Sequence, residues 1–182
     1  MVKTYPVPCT KEEMDALIEA SADNIFYYVL FSLAKTTGRR LSEYFFIKVE
    51  DIDFPNKSFT TEVLKGKRRV RAPAILRDDI AILLKNYILT KGLKPNDYVF
   101  QEVSRRQIQY TIKKYAKRAN VPHNVSFHNF RHYFVTSLRK QNWNYQDIAK
   151  LTGHSSSNTL YHYDHSTIDD VKQAATHALA TI

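Results

Sequence analysis

The chain has 182 residues, 43% of them hydrophobic, enough for one substantial buried core. Lys and Arg number 27 against 18 acidic residues, and the resulting net charge of +9 favours a polyanionic partner through counterion release. A single cysteine, Cys9, excludes an internal disulfide framework and suits a reducing compartment such as the cytoplasm, and neither a signal-peptide core nor the roughly 20 consecutive apolar residues of a membrane span is present.

In chain order, residues 1–9 form an irregular, Pro-containing lead. Thr10 is placed to cap a helix whose first turn carries Glu12 and Glu13, facing the positive end of the helix dipole. From Asn24 to Lys35 the sequence is apolar almost all round, which predicts a buried central helix ending at Gly38. A short helix from Leu41 follows. Between Ile47 and Ile75 the pattern alternates, and VEDIDF, SFTTEVL and RRVRAPAI predict three antiparallel strands joined by turns at Pro55-Asn56-Lys57 and Lys65-Gly66-Lys67. A helix from Arg77 to Lys91 directs Ile80, Leu83, Leu84, Tyr87 and Ile88 inward. Another, from about Ser104 to Ala119, is very basic, with Arg105, Arg106 and Lys113 among its cations. Thr167 to Ala180 predicts a C-terminal helix. The expectation is one domain over 1–182, mainly α with a small three-stranded antiparallel sheet.

Chemistry concentrates between Ser126 and Tyr163. His128 and Arg131, three apart, project from one face near a helix start, where the dipole favours an anion. His132, four after His128, also suits a zinc pair, but the Glu of H-E-x-x-H, a cysteine pair and a nearby acidic ligand cluster are missing, so no metal is assigned. Gly153 ends a helix and leaves His154 at a junction. Five of the seven histidines, His128, His132, His154, His162 and His165, fall in or beside this stretch. Tyr161 and Tyr163 compete as nucleophile, and two residues apart they cannot share a helix face. Cations, imidazoles and a phenol together are what attack on a phosphodiester by a protein nucleophile needs.

The boxes H-N-F-R-H, L-T-G-H-S-S and Y-x-H resemble the C-terminal catalytic signature of the tyrosine recombinases, the family of phage integrases and chromosome-dimer resolvases. Upstream, T-G-R-R-L-S-E resembles the family's first arginine box, with Arg40 in the catalytic position and Glu43 as its supporting acid. L-K-G-K-R-R-V-R-A-P resembles the hairpin that presents the family's lysine, and counting back from Pro73 selects Lys65 over Lys67. Tyr163, not Tyr161, stands at the family's distance after the Gly-His pair. The resemblance runs from about Thr10 to Ala180.

It implies a site-specific recombinase or integrase catalytic domain that cleaves and rejoins duplex DNA through a 3′-phosphotyrosyl intermediate. Arg40 and Arg131 clamp the scissile phosphate, His128 and His154 assist, Lys65 protonates the leaving 5′ oxygen and Tyr163 attacks. No cofactor or metal is required. Arg39, which replaces the usual apolar residue, together with Lys67, Arg68, Arg105, Arg106 and Lys113, is expected to contact DNA. A monomer in free solution, a tetramer on paired sites and a nucleoid-associated or viral or mobile-element setting are implied. The N-terminal DNA-clamp domain of family members is expected to be absent from this chain, so DNA binding should be weak and salt-dependent. A type IB topoisomerase-like relaxing enzyme and a catalytically silent DNA-binding module are the alternatives.

Overall fold

The structure, a computed structural model, describes residues 7–65 and 68–153, with residues 63–65 and 68–69 described by backbone alone. His154, Tyr161, Tyr163, Lys67, the expected C-terminal helix and the side chains of Lys65 and Arg68 therefore lie outside the described residues.

Local signals account for most of the helices. Thr10 and Glu13 form a reciprocal capping box at the start of α1 (Lys11–Ala20). Asn24 Oδ1 accepts from Phe26 N at 3.1 Å, starting α2 (Ile25–Thr37), and α3 (Leu41–Tyr44) follows the Gly38 cap. After the sheet come α4 (Asp78–Lys91), α5 (Arg105–Arg118), α6 (His128–Lys140) and α7 (Tyr145–Thr152). Among the described residues no helix is long and apolar enough to cross a membrane.

The sheet has the order β1-β2-β3, antiparallel throughout. β2 (Ser58–Lys65) and β3 (Arg68–Ile75) pair along their whole lengths, from Ser58 opposite Ile75 to Lys65 opposite Arg68. β1 is only Ile52–Asp53, shorter than the alternating VEDIDF segment suggested. The reason lies in hydrogen bonding: Val49 N and Glu50 N donate to the carbonyls of Asp97 and Pro95, so residues 49–51 form a 3-10 turn and cannot join the ladder.

The core is built around α2, which packs on α6 and α4, while α1 packs on α5. Phe31 stacks on Phe130 with ring centroids 5.3 Å apart, and Tyr44 meets Phe127 edge-on at 5.7 Å. These contacts join the end of α2, α3 and the start of α6. A smaller cluster of Val135, Ile148 and Ala149 seats α7 on α6.

Gly38 is where this packing is tightest. Its φ of +60° is left-handed, and a Cβ there would lie 2.5 Å from Phe134 Cδ1. Gly38→Ala should therefore cost about 2–4 kcal/mol, read as a fall of roughly 5–15 °C in Tm by thermal denaturation. An unchanged Tm would show that Phe134 is not fixed there.

Candidate phosphate-binding active site

The end of α2 and α3 present one arginine outward and another inward. Arg40 precedes α3 and is partly exposed, and its Nη1 donates to Glu43 Oε1 at 3.0 Å while its backbone N donates to Glu43 Oε2 at 3.0 Å. Glu43 is buried, and its backbone carbonyl accepts from the Thr61 hydroxyl of β2. One carboxylate thus holds both the backbone and the side chain of Arg40, which limits where the guanidinium can point.

Arg39 corrects the expectation of a DNA contact, because the structure places its side chain in the core. It is fully buried, with Nη2 donating to the Pro73 carbonyl of β3. Its Nε and Nη1 have no hydrogen-bond partner among the described residues. Burial pulls its pKa below the usual arginine range, and nearby Glu43 opposes the shift. The adjacent arginines therefore divide the work. Arg40 faces the pocket with a carboxylate at its back, and Arg39 braces β3.

Arg131, on the first turn of α6, is also buried. Its Nη1 donates to Gly38 O at 2.9 Å and to Thr152 O at 2.7 Å, so one guanidinium ties the cap that follows α2 to the last residue of α7. The left-handed turn at Gly38 is what presents that carbonyl. His128, one turn earlier, is exposed. Its pKa lies below the ordinary imidazole value, first through partial desolvation and then through the positive charges of Arg131 and Arg40. It is consequently neutral at pH 7. An NMR titration of His128 should give a midpoint below about 6.5, and Arg40→Ala should move it upward by removing one opposing cation. A midpoint unmoved by that change would separate the two side chains.

These groups meet in a pocket of about 440 Å³ whose lining includes Arg39, Arg40, Arg105, Arg106, His128 and Arg131. Arg105 and Arg106 open α5 and are exposed, with Arg105 lying 6.0 Å from the Phe45 ring centroid. Lys113, two turns further along α5, is exposed but does not line the pocket. Gln109 does line it, and its Oε1 accepts from Phe127 N at 3.4 Å. Sequence reasoning missed Gln109, although its position four residues after Arg105 puts it on the same helix face. With Phe127 supplying no side-chain cap, α6 begins at this pocket without an acidic group in its first turn. The arrangement suits a tetrahedral oxyanion such as a phosphate.

Residues 9–169 match the phage integrase family. The chain belongs to that family. A tyrosine recombinase of Pseudothermotoga lettingae is 30% identical over 156 residues, which cover 84% of this chain and 54% of that protein. The tyrosine recombinase XerA of Pyrococcus furiosus is 30% identical over 187 residues, covering 97% of this chain and 63% of its own length. A crystal structure of XerA recombinase superposes with a TM-score of 0.79 at 25% identity, covering 98% of this chain and 65% of that one. The XerH site-specific recombinase, solved on its palindromic difH substrate, shares the fold with a TM-score of 0.76 at 22% identity, over 95% of this chain and 53% of its own. This integrase-family chain therefore spans between about half and two thirds of the length of these relatives.

Proposed function

We propose that this chain carries the catalytic activity of a site-specific DNA recombinase, cleaving and rejoining duplex DNA through a covalent 3′-phosphotyrosine. The observation that carries this reading is the convergence of Arg40, His128 and Arg131 on one pocket, from the α2–α3 junction and α6, in a chain matched to the family over 9–169. Family membership and the DNA-bound XerH relative support duplex DNA as the partner.

Arg40 and Arg131 grip the non-bridging phosphate oxygens, and being always charged they neutralise the extra negative charge of the pentavalent transition state. Glu43 aims the first and the Gly38 and Thr152 carbonyls aim the second. Neutral His128 accepts the phenolic proton of Tyr163, or holds the phosphate while that proton leaves, and His154 donates a hydrogen bond to it. As the Tyr163 oxygen bonds to phosphorus, the bond to the 5′ oxygen breaks and Lys65 protonates that oxygen. One phosphodiester replaces another, so the 5′ hydroxyl of a partner strand can reverse the step without any input of energy. Arg105, Arg106, Lys113, Lys67 and Arg68 bind backbone phosphates outside the reacting one. Protomers join as a tetramer on paired sites and separate in free solution.

Nicked suicide duplexes drawn from a randomised pool test this, because the fragment bearing the 5′ hydroxyl diffuses away and strands the adduct. A covalent protein–DNA species on a denaturing gel, mapped by peptide analysis to Tyr163, is the expected result. DNA binding without an adduct would leave a silent module, and relaxation of a supercoiled plasmid lacking paired sites would favour a topoisomerase.

A further inference from the structure

Cys9, Glu13 and His123 share no residue with the arginine pocket, yet they bring together three kinds of metal ligand. A thiol sulfur, a carboxylate oxygen and an imidazole nitrogen all lie within 4.8 Å of one another. Two distant parts of the chain supply them. Cys9 and Glu13 bracket the first turn of α1, and His123 comes from the connection between α5 and α6, 110 residues after Glu13.

The groups around them hold the cluster in place. Thr10 N donates to Glu13 Oε2 at 2.8 Å within the capping box. His123 Nε2 lies 3.2 Å from that same oxygen, and its Nδ1 is buried with no hydrogen-bond partner among the described residues. Asn129 Nδ2 donates to Val7 O at 3.0 Å, and the Asn129 side chain also bonds the Cys9 thiol, so the segment before α1 is fastened to α6. Cys9 itself is buried, and desolvation followed by the charge of Glu13 pushes its thiol up to about 11, which rules out a free reactive thiolate.

Tetrahedral zinc with bonds of about 2.0–2.3 Å places neighbouring ligand atoms about 3.3–3.7 Å apart. The 3.2 Å between His123 and Glu13 is already close to that edge. From the 4.8 Å limit, the remaining edges need to shorten by at most about 1.5 Å.

We propose that Cys9, Glu13 and His123 form a zinc site that staples the segment before α1 to the α5–α6 connection, with water as fourth ligand. A thiolate with an imidazole selects Zn²⁺ over Mg²⁺ and Ca²⁺, which take all-oxygen shells. Loading expels the thiol proton to solvent, so two ligand anions meet two positive charges. Occupancy steadies Asn129 and with it the start of α6, which also carries His128 and Arg131. No step of strand cleavage passes through the ion.

Equilibrium dialysis of the 182-residue chain against Zn²⁺ alone tests the proposal, with Co²⁺ as an optical probe. One Zn²⁺ per chain, a near-ultraviolet thiolate-to-Co²⁺ charge-transfer band and a raised Tm on loading are expected. Glu13→Gln removes the ligand charge but keeps the capping box, since Gln serves at that position. It should weaken Zn²⁺ binding at least ten-fold with an unchanged circular dichroism spectrum. Cys9→Ser should abolish the Co²⁺ band. Substoichiometric Zn²⁺ on the unaltered chain, or undiminished binding in Glu13→Gln, overturns the proposal. So does undiminished binding in Cys9→Ser, which would assign the ion to other histidines. Should Cys9→Ser fail to fold, Glu13→Gln decides.

Discussion

Tyr163→Phe should eliminate the covalent protein–DNA adduct while leaving DNA affinity within about two-fold, because only one phenolic oxygen is removed and the phosphate contacts that dominate affinity remain. Phe has no atom that can bond to phosphorus, so the loss should be complete. Tyr161→Phe should leave adduct formation intact. A phenol with an ordinary pKa of about 10 is a poor nucleophile at neutral pH and depends on neighbouring cations and a base. Electrophoresis of trapped suicide complexes reads both variants directly. An adduct that survives Tyr163→Phe and disappears in Tyr161→Phe would move the nucleophile by two residues.

The second large effect separates two arginines expected to share a role. Each alanine substitution should slow strand cleavage by about 10²–10³-fold, the usual loss when one charged stabiliser of a transition state is removed. Their effects on stability should differ. Arg131→Ala leaves the buried carbonyls of Gly38 and Thr152 without their donor, costing about 3–5 kcal/mol at about 1–3 kcal/mol for each abandoned group plus lost packing. Arg40→Ala removes a partly exposed side chain, and Glu43 keeps its bond from the Arg40 backbone N, so the loss should be nearer 1 kcal/mol. Single-turnover cleavage and denaturant unfolding together measure the contrast. Equal losses of stability in the two variants would show that Arg131 does not brace α2 against α7.

Most of the helices were legible because their signals are local. Thr10 with Glu13, Asn24, Gly38 and Ser104 each act within about one turn, and each marks the boundary found. The strand pattern was legible for β2 and β3. It failed for residues 49–51, where the amides of Val49 and Glu50 are taken by Asp97 and Pro95 from beyond the sheet and that of Asp51 closes back on Lys48. The candidate site reads as boxes in chain order; of their residues Arg40, His128 and Arg131 line one pocket, while His154, Tyr163 and the Lys65 side chain lie outside the described residues. The fate of Arg39 was not legible, since an arginine between a glycine and another arginine reads as surface charge. Only the carbonyl of Pro73, 34 residues away, shows where its guanidinium is used.

The sequence by itself determined the family boxes, the helix limits and the basic balance, because spacing, caps and charge are properties of neighbouring residues. Tertiary structure alone decided which cations face one pocket, why Gly38 must lack a side chain, and that Cys9 and Glu13 meet His123. The first two depend on the aromatic core between α2, α3 and α6, and the third on the packing of α1 against α5. That apolar packing acts without regard to chain separation, so no local pattern records which polar groups it carries along.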